Sequence, residues 1–161
     1  MILNIDYMRT ERAFIELGMT DFGQQFSQLR QSAFFDDWET GKINQEQFLA
    51  GLRRRVLLTP SDQALIDAWN AMLLDIPLRR LQILQQLQLH FDTFLLSNTN
   101  EIHEAAFNKI LKSQCGFSSL GVFFDKVYFS HHIGLRKPGK EIFELILQQN
   151  SLSPEKTLFI D

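Results

Sequence analysis

Three short apolar runs in the second half of the chain constrain its fold most. Thr93-Phe94-Leu95-Leu96-Ser97, Lys126-Val127-Tyr128-Phe129-Ser130 and Thr157-Leu158-Phe159-Ile160 are each too short for a buried helix, and polar residues break them off. Between them lie two stretches with helical spacing. One places Ile102, Ala106, Phe107, Ile110 and Leu111 on one side; the other, Glu141 to Gln149, places Ile142, Phe143, Ile146 and Leu147 inward. Strands that alternate with helices cannot pair as tight hairpins. The crossovers make them parallel and cover them on both faces, so the order predicts an α/β protein with a parallel sheet.

The first half has no such runs. Tyr7, Phe14 and Leu17 share one helical face, and Gly18 suits a left-handed helix end. Phe22, Phe26, Leu29 and Ala33 recur at three or four residues and predict a second helix. After Gly41, Asn44 stands three residues before Gln47, a capping box for a helix through Phe48, Leu52 and Val56. Thr59-Pro60 is expected to open another helix, with Leu65, Ile66, Trp69, Met72 and Leu73 inward. Beyond Pro77, Leu81, Leu84 and Leu87 mark one more. The 161 residues therefore divide near Pro77 into a helical module and a partial α/β core.

Apolar residues make up 45% of the chain and fifteen are Phe, enough for a sizeable core. The formal charge of −3 and the scattered basic residues argue against a nucleic-acid partner. Arg53-Arg54-Arg55 is the densest run, and on a helix its members face different ways. Cys115 is the single cysteine, which excludes an internal disulfide and fits a reducing compartment. The opening residues resemble neither a signal peptide nor a membrane span, and the cytoplasm is the expected location.

Ligands of open parallel sheets sit beyond the carboxyl ends of the strands. Ser97 ends the first strand there, with Asn98-Thr99-Asn100 leading into a helix. Lys137 lies in the loop after the second strand, and Asp161 ends the third. A hydroxyl beside exposed helix-start amides can hold phosphate oxygens. A lysine can offset charge that develops on them, and a carboxylate can hold Mg²⁺. Taken singly, none is specific, and each is more often a helix cap or a solvated side chain; their common position at strand ends points to phosphate chemistry.

Leu95-Leu96-Ser97-Asn98-Thr99-Asn100, Gly134-Leu135-Arg136-Lys137-Pro138 with Glu141-Ile142-Phe143, and Thr157-Leu158-Phe159-Ile160-Asp161 resemble, in order and spacing, the second, third and fourth motifs of the haloacid-dehalogenase (HAD) superfamily. Their texture is similar to the branch related to the epoxide-hydrolase N-terminal phosphatase domain. The resemblance implies a HAD-like Rossmannoid parallel sheet, incomplete here, with an inserted helical cap. Residues 1–6 would follow a missing first strand, 7–76 would form the cap, and 77–161 part of the core. It implies a Mg²⁺-dependent phosphatase acting through an aspartyl-phosphate on a small phosphorylated metabolite. Ser97, the amide of Asn98 and Lys137 would bind phosphate. Lys137 and Asp161 would be catalytic, and Asp161 would hold the metal.

The family's first motif, Asp-x-Asp, does not occur in the chain. Asp36-Asp37 is adjacent rather than spaced and falls in the cap region; Asp6 is expected to cap the first helix. Gly139-Lys140 stands where relatives often have Asp-Pro. The chain is thus expected to be a segment of a longer protein, inactive and poorly stable alone. Two other readings stay open: an inactive HAD-like binding or scaffold protein, and a dehalogenase that shares the nucleophile but needs no metal. Adjacent His131-His132 on an extended segment would point to opposite faces, which argues against a shared zinc ion. His90 and His103 are far from them in sequence. Phe34, Phe35, Trp38 and Trp69 are expected in the core rather than in a substrate pocket.

Overall fold

The computed structural model describes residues 2–26 and 32–160. Helix α1 (Tyr7–Glu16) starts where the Asp6 carboxylate accepts the Met8 N–H at 3.0 Å, so Asp6 is a cap, as expected. Gly18 follows the helix at φ 91°. Helix α2 (Phe22–Gln25) is shorter than the periodicity predicts. Phe26 already turns extended, and Ala33 opens a separate helix, α3 (Ala33–Glu39). Leu29, expected on the same face, lies outside the described residues. Helix α4 (Gln45–Arg53) carries the predicted capping box, with both Asn44–Gln47 bonds formed. Helix α5 (Asp62–Asn70) begins two residues later than Pro60 suggests. Ser61 Oγ accepts the Ala64 N–H at 3.2 Å, and a side-chain cap fixes the start where proline only permits one.

Helix α6 (Leu78–Gln88) leads to strand β1 (Phe94–Ser97), helix α7 (Glu101–Cys115), strand β2 (Lys126–Phe129), a helical turn α8 (Ser130–Ile133) and helix α9 (Lys140–Gln149). β1 and β2 pair in parallel, with Ser97 opposite Phe129, and the fold is α/β as expected. The predicted third strand does not form. Thr157–Ile160 has no ladder partner among the described residues, and Leu158 and Ile160 are exposed. A strand exists through its neighbour's hydrogen bonds, and apolar alternation alone cannot supply them.

Apolar side chains gather in two clusters. Phe14, Phe22, Phe35, Phe48, Leu52, Leu65 and Trp69 are central to the first, which draws almost wholly on residues 14–72. Within it Phe35 stacks on Trp69 at 5.5 Å and Trp38 on Phe48 at 4.4 Å, so these aromatics are core, as predicted. The second unites Leu3, Ile76, Leu81, Phe107, Leu111, Phe123 and Phe129 around the sheet. Two chain segments join the regions and run side by side. Ile5 and Leu73 form an antiparallel bridge, flanked by bonds from Asn4 N–H to Asp75 O, from Leu74 N–H to Asn4 O and from Asp6 N–H to Met72 O. The arginine run behaves as expected of a surface: Arg53 pairs with Asp62, while Arg55 lies over the Phe34 ring.

Candidate active site

The loops that leave β1 and β2 are sewn together by side chains. Asn98 Nδ2 donates to the Lys137 carbonyl and Asn98 Oδ1 accepts the Lys137 N–H, both at 2.9 Å. This two-point grip brings the lysine's main chain beside the residue that follows Ser97. One layer below, Ser130 Oγ accepts the Thr99 N–H and donates to the Thr99 carbonyl, each at 3.0 Å, with Ser130 and Thr99 buried. Ser130 was expected to end the strand; instead it starts α8 and ties that turn to the β1 loop. Three of the four predicted site residues, Ser97, Asn98 and Lys137, thus share one strand end. The fourth, Asp161, lies outside the described residues. The segment leading to it passes Lys137, whose Nζ sits 5.3 Å from the Phe159 ring centroid, and Phe159 packs edge-on against Phe143 of α9. The Lys137–Pro138 peptide is cis.

Arg136, next to the lysine, reaches the helical region. Its guanidinium contacts the Asp36 carboxylate at 2.6 Å and the buried Glu39 carboxylate at 3.0 Å, both on α3. A planar fork suits two carboxylates at once. The loop before α9 and helix α3 are therefore joined by these ion pairs.

A second link between the regions escaped the sequence reading. The Asn100 side chain caps α7: its Oδ1 accepts the His103 N–H at 3.0 Å and the Trp69 indole N–H at 3.2 Å. Both are obligatory donors, so the amide orientation is fixed and Nδ2 faces His103 Nδ1 at 3.2 Å. His103 Nδ1 is then the acceptor, and Nε2–H donates to the Trp69 carbonyl at 3.0 Å. The rings of Trp69 and His103 stack at 4.9 Å. Burial lowers the His103 pKa to about 4, although the bond to Trp69 opposes this, and the imidazole is neutral. The sequence held one signal: Asn100 begins a helix with a histidine at its third position, the geometry of a cap.

His131 and His132 contradict the extended geometry assumed for them. They lie on the α8 turn, their rings 4.1 Å apart, and both Nε2 atoms approach Glu104 Oε2 of α7, at 3.1 and 3.3 Å. Burial, and then the neighbouring His132, push the His131 pKa down to about 4. A cleft of about 420 Å³ opens elsewhere, between Ile66 and Asn70 of α5 and Ile102 and Lys109 of α7.

No family model matches the chain. Among curated proteins it is 30% identical to a D-ribitol-5-phosphate phosphatase of Bacteroides thetaiotaomicron, over all of this chain and 78% of that protein. A HAD family enzyme from the same organism, solved as an aspartate-to-alanine mutant with magnesium and inorganic phosphate, superposes with a TM-score of 0.89. It shares 29% identity over 97% of this chain and 77% of its own. A HAD-like family hydrolase from Porphyromonas gingivalis gives a TM-score of 0.86 at 28% identity, covering 99% and 76%. The three motifs, the α/β fold and these relatives agree, and the chain belongs to the HAD family of hydrolases.

Proposed function

We propose that the chain is the cap and partial core of a cytoplasmic Mg²⁺-dependent phosphatase for a small phosphorylated metabolite. Residues 7–76 are the cap and 77–161 the core portion. The observation that carries the reading is the pair of hydrogen bonds between the Asn98 side chain and the Lys137 main chain, which sets the lysine beside the end of β1. There the Ser97 hydroxyl and the Asn98 amide receive phosphate oxygens, and the Lys137 ammonium offsets the charge on them as a carboxylate nucleophile approaches. The chain's own Asp residues lack the family's Asp-x-Asp spacing, so this reading takes the nucleophile that forms the aspartyl-phosphate from outside these 161 residues.

Mg²⁺ is a hard cation that takes oxygen ligands, and Asp161 is the carboxylate assigned to the ion. When bound, it would neutralise phosphate charge. A phosphorylated polyol is the first substrate to try, because the curated relative is a D-ribitol-5-phosphate phosphatase. The test joins a strand ending in Asp-x-Asp to the N-terminus of this chain and measures Mg²⁺-dependent release of phosphate from D-ribitol 5-phosphate and p-nitrophenyl phosphate. Turnover by the joined protein and none by the chain alone is expected. A folded joined protein without turnover would refute the phosphatase reading, and turnover by the chain alone would refute the origin given for the nucleophile.

A further inference from the structure

We propose that Glu104, His131 and His132 form a binding site for a borderline-soft divalent cation such as Zn²⁺ or Co²⁺, distinct from the phosphate-end Mg²⁺ site. These residues offer one carboxylate oxygen and two imidazole nitrogens, all within 4.8 Å of one another, the one such cluster among the described residues. Two histidines and a carboxylate with an open fourth position is a donor set that suits zinc, whereas Mg²⁺ prefers oxygen alone.

The spacings match as well as the donor types. Ligands about 2.0–2.1 Å from a tetrahedral Zn²⁺ lie about 3.3–3.4 Å from each other along the tetrahedron's edges. The two N···O separations here are 3.1 and 3.3 Å, within a few tenths of an ångström of those edges, and the third separation is under 4.8 Å. Each imidazole turns a lone pair to the ion when its proton sits on Nδ1.

The frame around the cluster is rigid. Glu104 stands in the first turn of α7, whose start is capped by Asn100 and bonded to Trp69. His131 is nearly buried, with its side chain 8% exposed, and stacks at 6.0 Å on Phe129 of β2. Its carbonyl lies against Gly41, where a Cβ would come within 2.3 Å of the oxygen. His132, 57% exposed, leaves an approach from solvent. A bound ion would pin α7 to the α8 turn five residues before Lys137. A plain hydrogen-bond network, with both rings donating to one carboxylate oxygen, is the competing account.

Untagged chain is titrated with Co²⁺ in excess Mg²⁺, so that hard-cation sites are already filled, and the visible absorption of four-coordinate Co²⁺ is followed. One equivalent per chain is expected, displaced by Zn²⁺. His132→Ala and Glu104→Gln should each weaken binding by about tenfold or more, while His90→Ala should not. His132 is exposed and Glu104→Gln preserves shape, so circular dichroism should show both variants folded. The proposal is overturned if no four-coordinate band appears, if the band survives His132→Ala undiminished, or if His90→Ala removes it.

Discussion

Acidification should destabilise this protein through His103. The imidazole is buried, stacked on Trp69 and held in one tautomer by Asn100 and the Trp69 carbonyl, with its pKa lowered from 6.5 to about 4. A proton would meet Asn100 Nδ2, itself a donor, so the cation finds no partner there. The unfolded chain takes up that proton near pH 6.5 and the folded chain does not. Stability is therefore complete above that pH and falls as pH drops toward 4. With these two pKa values, going from about pH 8 to about pH 5 costs about 2 kcal/mol, and full protonation about 3 kcal/mol. At a urea m-value of about 2 kcal/mol/M, the first figure moves the unfolding midpoint by about 1 M. The assay is urea unfolding by tryptophan fluorescence across this range, on the wild type and on His103→Gln. The variant starts less stable at high pH, having lost the stack and its bonds, but its midpoint should change less with pH. His131, lowered for a similar reason, supplies the slope that remains. Equal pH slopes in the two proteins would refute the argument.

The remaining predictions concern the strand end and the contact between the regions. In a protein that turns over phosphate esters, Lys137→Met should cut kcat by about a hundredfold. Lys140→Met, which loses only an exposed pair with Glu144 at 3.4 Å, should leave it unchanged. Equal effects would show that the motif lysine is misassigned. Asn98→Ala strips both bonds from the Lys137 main chain and should cost about 1–3 kcal/mol by thermal denaturation, with kcat falling too; an unchanged melt would show the clamp to be dispensable. Gly41→Ala places a methyl group at φ 67° against the His131 carbonyl and should cost at least about 1–3 kcal/mol in the same measurement.

Much of this was legible in the sequence where local chemistry decides. The Asn44–Gln47 box, the Asp6 cap and the left-handed Gly18 need only near neighbours, and each appears as expected. Alternation of apolar runs and helices conveyed the α/β class. The third strand failed because strand pairing is a property of two segments, and Thr157–Ile160 carries only its own half. The assumption about His131-His132 failed for a related reason. Ser130 leaves the ladder to bond Thr99, thirty-one residues away in sequence, and that bond curls the histidines into a turn. The role of Asn98 was half visible. Its place after the strand was read correctly, but that its side chain grips Lys137 depends on a contact between residues thirty-nine apart.

The antiparallel bridge between Ile5 and Leu73 makes the intervening helices portable. Residues that face each other across such a bridge have Cα atoms only about 4.5–5.5 Å apart. A tight turn of two to four residues could span that gap, so everything from Tyr7 to Met72 could be cut out or exchanged without moving the ends that the sheet region must hold. Its apolar cluster is almost self-contained, with Ile102 the one buried contribution from beyond residue 72 among the described residues. The whole helical region could therefore be replaced by a single insertion event that keeps the strand end in place. In this architecture, the helical region and the sheet region can change independently of each other.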